Sequence, residues 1–273
     1  MVHIRWSKSN MISSLSFKER ICAISKDKKS SIILALDPPY GTKNIFDYVI
    51  EKIESLSSYS CAIKLNFHVI LPLSGNELKK MTKCAHDNDL QVIADLKLND
   101  IFDTNKVVIQ HLASMGFDST ILNPFIGKNS LVSITRYAHS LGFGIISLVY
   151  MSHPEAVEGY GALIQSQSDH AVETKFLPLY RSFYGNSIIA GVDGVVIGGN
   201  RLDIIKECSS KGTPTTNIPI YSPGLITQGG NVKDALASGS NYLIIGRAII
   251  GSNSPVTTIR SIRDSISDRN LYL

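Results

Sequence analysis

Asp95 and Lys97 stand two residues apart in one apolar run, and Asp100 follows three residues later. On a strand, positions two apart share a face, so this carboxylate and ammonium are expected to project together. Lys64 sits in a second apolar run and Asp37 closes a third. Alternating lysine and aspartate in a confined site lets each charge compensate the next, which lowers the cost of burying them. Nearby carboxylates keep a lysine in its ammonium form, and such a lysine is a poor Schiff-base nucleophile but a good proton donor. An isolated Asp-x-Lys is also the pattern of a structural ion pair at a strand end. The company of Lys64, Asp37 and Asp100 points instead to a catalytic array.

A second constellation lies near the C-terminus. Residues 222–230, containing Pro223 and Gln228, and the pair Gly246-Arg247 form two glycine-containing turns. Backbone N–H groups at a helix start favour an anion, and Arg247 adds a fork of donors suited to phosphate oxygens. The same glycines also read as plain turn residues, but two such turns in succession favour a phosphate site. Gln228 is placed to reach across as a lid residue. Ser152 is a lone hydroxyl that by itself reads as a turn or cap. No Ser-His-Asp set can be built around it, and the histidines, His153 included, lack metal-ligand spacing and read as surface or packing residues.

The elements that must position these groups are short β-branched apolar runs at 31–37, 60–66, 90–97, 117–123, 143–152, 192–199, 218–224 and 241–247. Near-continuous apolar runs are expected of parallel strands covered on both faces. Between them lie amphipathic stretches such as 43–56, 76–86 and 104–116; the last places Val107, Val108, His111, Leu112 and Met115 on one face and stops at Gly116. Eight βα units predict a (β/α)8 barrel, with a doubly wound open sheet as the alternative. In a barrel, chemistry is built at the C-terminal strand ends, and the loops after strands seven and eight are the usual phosphate site. Asp37 ends its run, the second run carries Lys64, and the third ends with Asp95 and Lys97, followed by Asp100. Residues 1–30 read as an N-terminal extension with a helix around 13–24, and 31–273 as a single barrel domain. Residues 153–191 read as an extended loop followed by a helix near 169–184.

The chain has 273 residues, 44% hydrophobic and 18% charged, which is globular composition. Its net charge of +4 is dispersed, too mild to imply nucleic acid but suited to a small anion. The four cysteines are far apart and read as buried thiols in a reducing cytosol. Charged residues interrupt the N-terminal stretch, so neither a signal peptide nor a membrane span is expected, and the location implied is cytoplasmic.

The segment Asp95–Asp100, followed by Ile101 and Thr104, resembles the DxKxxD-I-x-x-T signature of orotidine 5′-phosphate decarboxylases. The resemblance continues in order through Asp37, Lys64, Ser152, Pro223, Gln228, Gly246 and Arg247, spanning about residues 31 to 250. It implies conversion of orotidine 5′-monophosphate to uridine 5′-monophosphate without metal or cofactor. Asp37 and Lys64 would bind ribose hydroxyls, Asp95 would meet the substrate carboxylate, and Lys97 would stabilise and protonate the C6 carbanion. Ser152 would contact the pyrimidine edge, while Gln228, Gly246 and Arg247 would hold the phosphate. The resemblance also implies a homodimer in which Asp100, Ile101 and Thr104 reach the neighbouring subunit's site. Phe102 departs from the small residue or proline usual there, which the resemblance implies would alter packing at the dimer interface, and residues 160–190 are expanded. Sister sugar-phosphate decarboxylases and synthases share DxKxxD but use Mg²⁺ with a glutamate where this chain has Lys64. A catalytically dead barrel would lack Asp95 or Lys97, and both are present.

Overall fold

Ser16 and Glu19 set the start of the first helix. In the computed structural model, which describes residues 15–165, 176–210 and 218–267, Ser16 Oγ accepts the Glu19 N–H. The Glu19 carboxylate in turn accepts the Ser16 N–H at 2.8 Å. This capping box starts α1 at Phe17–Lys28, later than the predicted 13–24, of which 13 and 14 lie outside the described residues.

Ten strands follow in chain order: β1 (Ile32–Ala35), β2 (Ala62–Asn66), β3 (Gln91–Leu98), β4 (Ser119–Leu122), β5 (Gly144–Tyr150), β6 (Leu163–Gln165), β7 (Phe176–Pro178), β8 (Gly194–Ile197), β9 (Ile220–Ser222) and β10 (Tyr242–Ile245). Eight of them close a parallel barrel in the order β1-β2-β3-β4-β5-β8-β9-β10, and β10 pairs back to β1. Every residue of β1, β4, β5, β8 and β10 is buried, as the continuous apolar runs required. The eight predicted runs all become barrel strands; most are trimmed at both ends, β2 keeps its predicted end at Asn66, and β3 runs one residue further, to Leu98.

The surrounding helices are α2 (Ile45–Leu56), α3 (Phe67–Ile70), α4 (Gly75–Asp87), α5 (Phe102–Ser114), α6 (Lys128–Ser140), α7 (Ala156–Gly159), α8 (Leu179–Ala190), α9 (Leu202–Ser210), α10 (Val232–Ser238), α11 (Arg247–Ile250) and α12 (Pro255–Ser267). Among the described residues no helix is long and apolar enough to cross a membrane. Burying one aliphatic side chain contributes about 1.5–3 kcal/mol, so the barrel's Ile, Val and Leu layers dominate the stability.

The structure corrects three readings. In α5 the buried stripe is Asn105, Ile109 and Leu112, while Val107 and His111 face solvent. Asn105 can be buried because its Nδ2 donates to the Asp100 carbonyl at 2.6 Å, which a hydropathy pattern cannot register. The 153–191 segment contains an antiparallel pair, β6 with β7, ahead of α8. The helix expected near 169–184 begins only at Leu179, and residues 169–175 lie outside the described ones. Of the cysteines, Cys61 and Cys208 are buried but Cys22 and Cys84 only half-buried, and none of the four is in a disulfide.

Helix α1 seals the N-terminal end of the barrel. Phe17 and Ile21 are buried, and a Cβ at Gly144 would fall 2.5 Å from the Phe17 ring. Arg20 ties the floor together through Gln91, Asp118 and the Gly142 carbonyl. On the same floor His86 Nε2 lies 2.9 Å from Asp118, and His139 Nε2 lies 2.8 Å from Asp193. These hydrogen bonds outweigh the opposing effect of burial and raise both histidine pKa values. The stabilisation is therefore complete below the ordinary histidine value of ~6.5 and is lost as pH rises through the raised folded value. The Tm advantage of the wild type over a His86→Gln/His139→Gln double variant should shrink from pH 6 to pH 8.5. A pH-independent advantage in a melting series would refute the linkage.

Candidate active site

The charged side chains converge at the C-terminal ends of β1, β2 and β3. Lys64 on β2 donates through Nζ to Asp95 Oδ2 at 2.7 Å, and Lys97 donates to Asp95 Oδ1 at 2.7 Å. Lys64 is 5% exposed and Asp95 6%. Burial works against the charge on Lys64, but the carboxylates of Asp95 and Asp37 outweigh it and raise its pKa. Burial also opposes ionisation of Asp95, yet Lys64 and Lys97 hold its carboxyl below the ordinary aspartate range. The pair is therefore ionised at neutral pH.

Simple strand alternation does not place Lys97. The β3–β4 register runs Ala94↔Thr120 and then Leu98↔Leu122, so four residues of β3 span two of β4. Within this bulge Lys97 adopts φ 46°, the left-handed region, which for a non-glycine residue costs on the order of 1–3 kcal/mol. The Thr120 hydroxyl donates to the Ala94 carbonyl at 2.9 Å where the ladder breaks. Lys97 does share a side with Asp95, as expected, but the bulge is what brings it there.

These groups open onto a cavity of about 260 Å³. Of the predicted site residues, Asp37, Lys64, Asp95, Lys97, Ser152, Pro223, Gln228, Gly246 and Arg247 all line it. Asp37 Oδ1 is buried with no hydrogen-bond partner among the described residues. Asp100, Ile101 and Thr104 do not line it; all three are exposed around the start of α5. Asn66, Thr227 and His153 line it as well. The first two sit inside segments singled out for their neighbours, whereas His153 is a correction, since it faces the cavity rather than the surface or the packing. Ile121, Leu148 and Val196 supply an apolar wall that no charge pattern would reveal.

The two glycine turns differ from one another. The first leads into α10, where Asn231 Oδ1 accepts the N–H groups of Lys233 and Asp234. That helix start is thus capped by its own chain, and the expected anion site there is reduced to the loop and Gln228. Gln228 Oε1 accepts the Ser152 hydroxyl at 2.8 Å. Gly224 permits this approach, because a Cβ there would lie 2.5 Å from Ser152 Cβ. The second turn, Gly246-Arg247, opens the single-turn α11 with no side-chain cap. A Cβ on Gly246 would lie 2.8 Å from the Ala35 carbonyl, so glycine lets β10 and β1 close at the mouth.

The family model described as Orotidine 5′-phosphate decarboxylase / HUMPS family matches residues 30–262. The chain belongs to this family. An orotidine 5′-phosphate decarboxylase from Thermococcus kodakarensis is 32% identical over 243 residues, 88% of this chain and 98% of its own. The crystal structure of orotidine 5′-phosphate decarboxylase from Pyrococcus horikoshii OT3 superposes with a TM-score of 0.70 at 28% identity, covering 87% of this chain and all of that one. The Methanocaldococcus jannaschii enzyme complexed with inhibitor BMP gives a TM-score of 0.68 at 25% identity, covering 85% of this chain and 95% of that one. Within the family this chain is a decarboxylase, a carboxy-lyase. Phe102 is half-buried and packs against its own chain's core.

Proposed function

We propose that the protein converts orotidine 5′-monophosphate to uridine 5′-monophosphate and CO2, acting through its own side chains. The observation that carries this reading is the Lys64–Asp95–Lys97 array, two 2.7 Å ion pairs at the mouth of a barrel whose opposite wall is apolar. In the reaction the bond from C6 to the carboxylate breaks heterolytically, CO2 departs, and the electron pair stays on C6. The Lys97 ammonium stabilises that charge by fixed electrostatics and then gives C6 its proton, regaining one from water. The apolar wall lowers the local dielectric and strengthens this effect. Asp95 holds Lys97 in place and faces the substrate carboxylate, and Lys64 holds Asp95.

The orphaned Asp37 Oδ1 is an acceptor suited to a ribose hydroxyl, with Lys64 beside it. Ser152 reads the pyrimidine edge, and Pro223, Gln228, Gly246 and Arg247 take the phosphate end. Phosphate binding remote from C6 can drive loop closure and so support the chemical step. Asp100, Ile101 and Thr104 serve the site of a second copy in a homodimer. The inhibitor-bound family structure and the lysine, not a carboxylate, at position 64 support this substrate over the Mg²⁺-dependent sugar phosphates of the sister enzymes. Purified protein in excess EDTA should convert orotidine 5′-monophosphate, followed by its absorbance loss and by chromatography of the product. Activity that vanished on chelation and returned with Mg²⁺ would overturn the reading.

A further inference from the structure

The turn at 198–201, Gly-Gly-Asn-Arg, lies outside the predicted site, and none of its residues lines the cavity. It nevertheless touches both loops whose tips meet in the Ser152–Gln228 hydrogen bond. On one side Asn200 Nδ2 donates to the Ser152 carbonyl at 2.9 Å. Arg201 Nη1 donates to the Tyr150 hydroxyl at 2.7 Å, with its guanidinium 4.5 Å above that ring. On the other side the Gly199 N–H donates to the Pro223 carbonyl at 2.7 Å. Both glycines are sterically required: a Cβ on Gly198 would lie 2.8 Å from Ser152 Cα, and one on Gly199 would lie 2.5 Å from Leu225 Cδ2.

Something must hold Ser152 from behind. The β5–β8 ladder slips between Leu148 and Tyr150, so regular pairing ends before the chain reaches Ser152. Gly198 N–H to Tyr150 carbonyl, at 3.0 Å, is the last backbone bond across that gap. Beyond it the Asn200 amide is the group that fixes the Ser152 backbone. We infer that Asn200 is a positioning residue for the decarboxylation, setting the place of Ser152 and thereby its contacts with the pyrimidine edge and with Gln228. This rests on the proposed reaction and adds to it a residue that never meets substrate.

The isosteric Asn200→Asp variant keeps the shape, removes the donor and sets a carboxylate against the Ser152 carbonyl. Asn200→Ala removes the side chain. Each should lower kcat/KM for orotidine 5′-monophosphate about tenfold, the order expected for one lost hydrogen bond that orients a reactant contact, with the Tm within about 2 °C of wild type. A merely structural role is separated by a double-mutant cycle with Ser152→Ala. If Asn200 acts through Ser152, adding Asn200→Ala to Ser152→Ala should change kcat/KM less than about twofold. Losses that multiply, or an active Asn200→Asp protein indistinguishable from wild type, would overturn the inference. A wild-type chain with no turnover would remove the proposed reaction and this inference with it.

Discussion

Lys97→Ala should abolish turnover of orotidine 5′-monophosphate while leaving the affinity for uridine 5′-monophosphate within a few-fold of wild type. The proposed role of Lys97 is confined to the carbanion and the proton that quenches it, so its loss falls on the transition state rather than on ground-state binding. Positioned proton donors contribute about 10²–10⁴-fold and preorganised electrostatic groups about 10²–10³-fold. A single residue supplying both should therefore cost at least about 10⁴-fold in kcat. The fold should tolerate the change. Lys97 is partly exposed, and Asp95 keeps its 2.7 Å partner Lys64. The contacts assigned to ribose and phosphate come from Asp37, Gln228 and Arg247, on segments after other strands. Single-turnover kinetics and product titration by calorimetry check both halves. Near-normal turnover would remove Lys97 from the chemistry, and a large loss of product affinity would show that it serves binding instead.

The residues that the sequence disclosed are those whose chemistry is unusual for their place. An aspartate or lysine within or at the end of an apolar run has no packing reason to be there, so Asp37, Lys64, Asp95 and Lys97 stood out, and each lines the cavity. The barrel was readable for the complementary reason: eight β-branched runs, each followed by a helix, need cover on both faces, and here they find it by closing on one another. What stayed hidden depends on tertiary partners. The left-handed Lys97 follows from a register slip against β4 and from the Thr120 hydroxyl, neither of which leaves a local pattern. Asn105 looks like a solvent residue until its partner at Asp100 is known. Asn231, adjacent to the glycine turn, spends the helix start that the turn seemed to offer to an anion. The 198–201 turn carries ordinary loop residues, and its importance lies in which two loops it happens to join.

Asp100 sets up the second large effect. Lys97 lines the cavity, but Asp100, three residues on, does not; it is exposed in its own chain beside Ile101, which is 68% exposed. Its position is nevertheless firm, because Asp100 Oδ1 accepts the Ile101 N–H at 2.7 Å and Asn105 grips its carbonyl at 2.6 Å. A carboxylate held rigidly outward is what a site completed across a two-fold axis requires, and covering Ile101 would remove apolar surface from water. Lys97→Ala and Asp100→Ala proteins should then each be nearly inactive alone. In a hybrid dimer one site collects both defects, while the other receives intact Lys97 from one chain and intact Asp100 from its partner. Random reassortment of an equal mixture makes about half the dimers hybrids, so roughly a quarter of all sites regain the full set. Mixing after reversible dissociation should restore roughly a quarter of wild-type activity, and a mixture kept from exchanging subunits should remain inactive. Should mass-tagged chains prove to have exchanged and no activity return, Asp100 acts within its own subunit and the shared site is excluded.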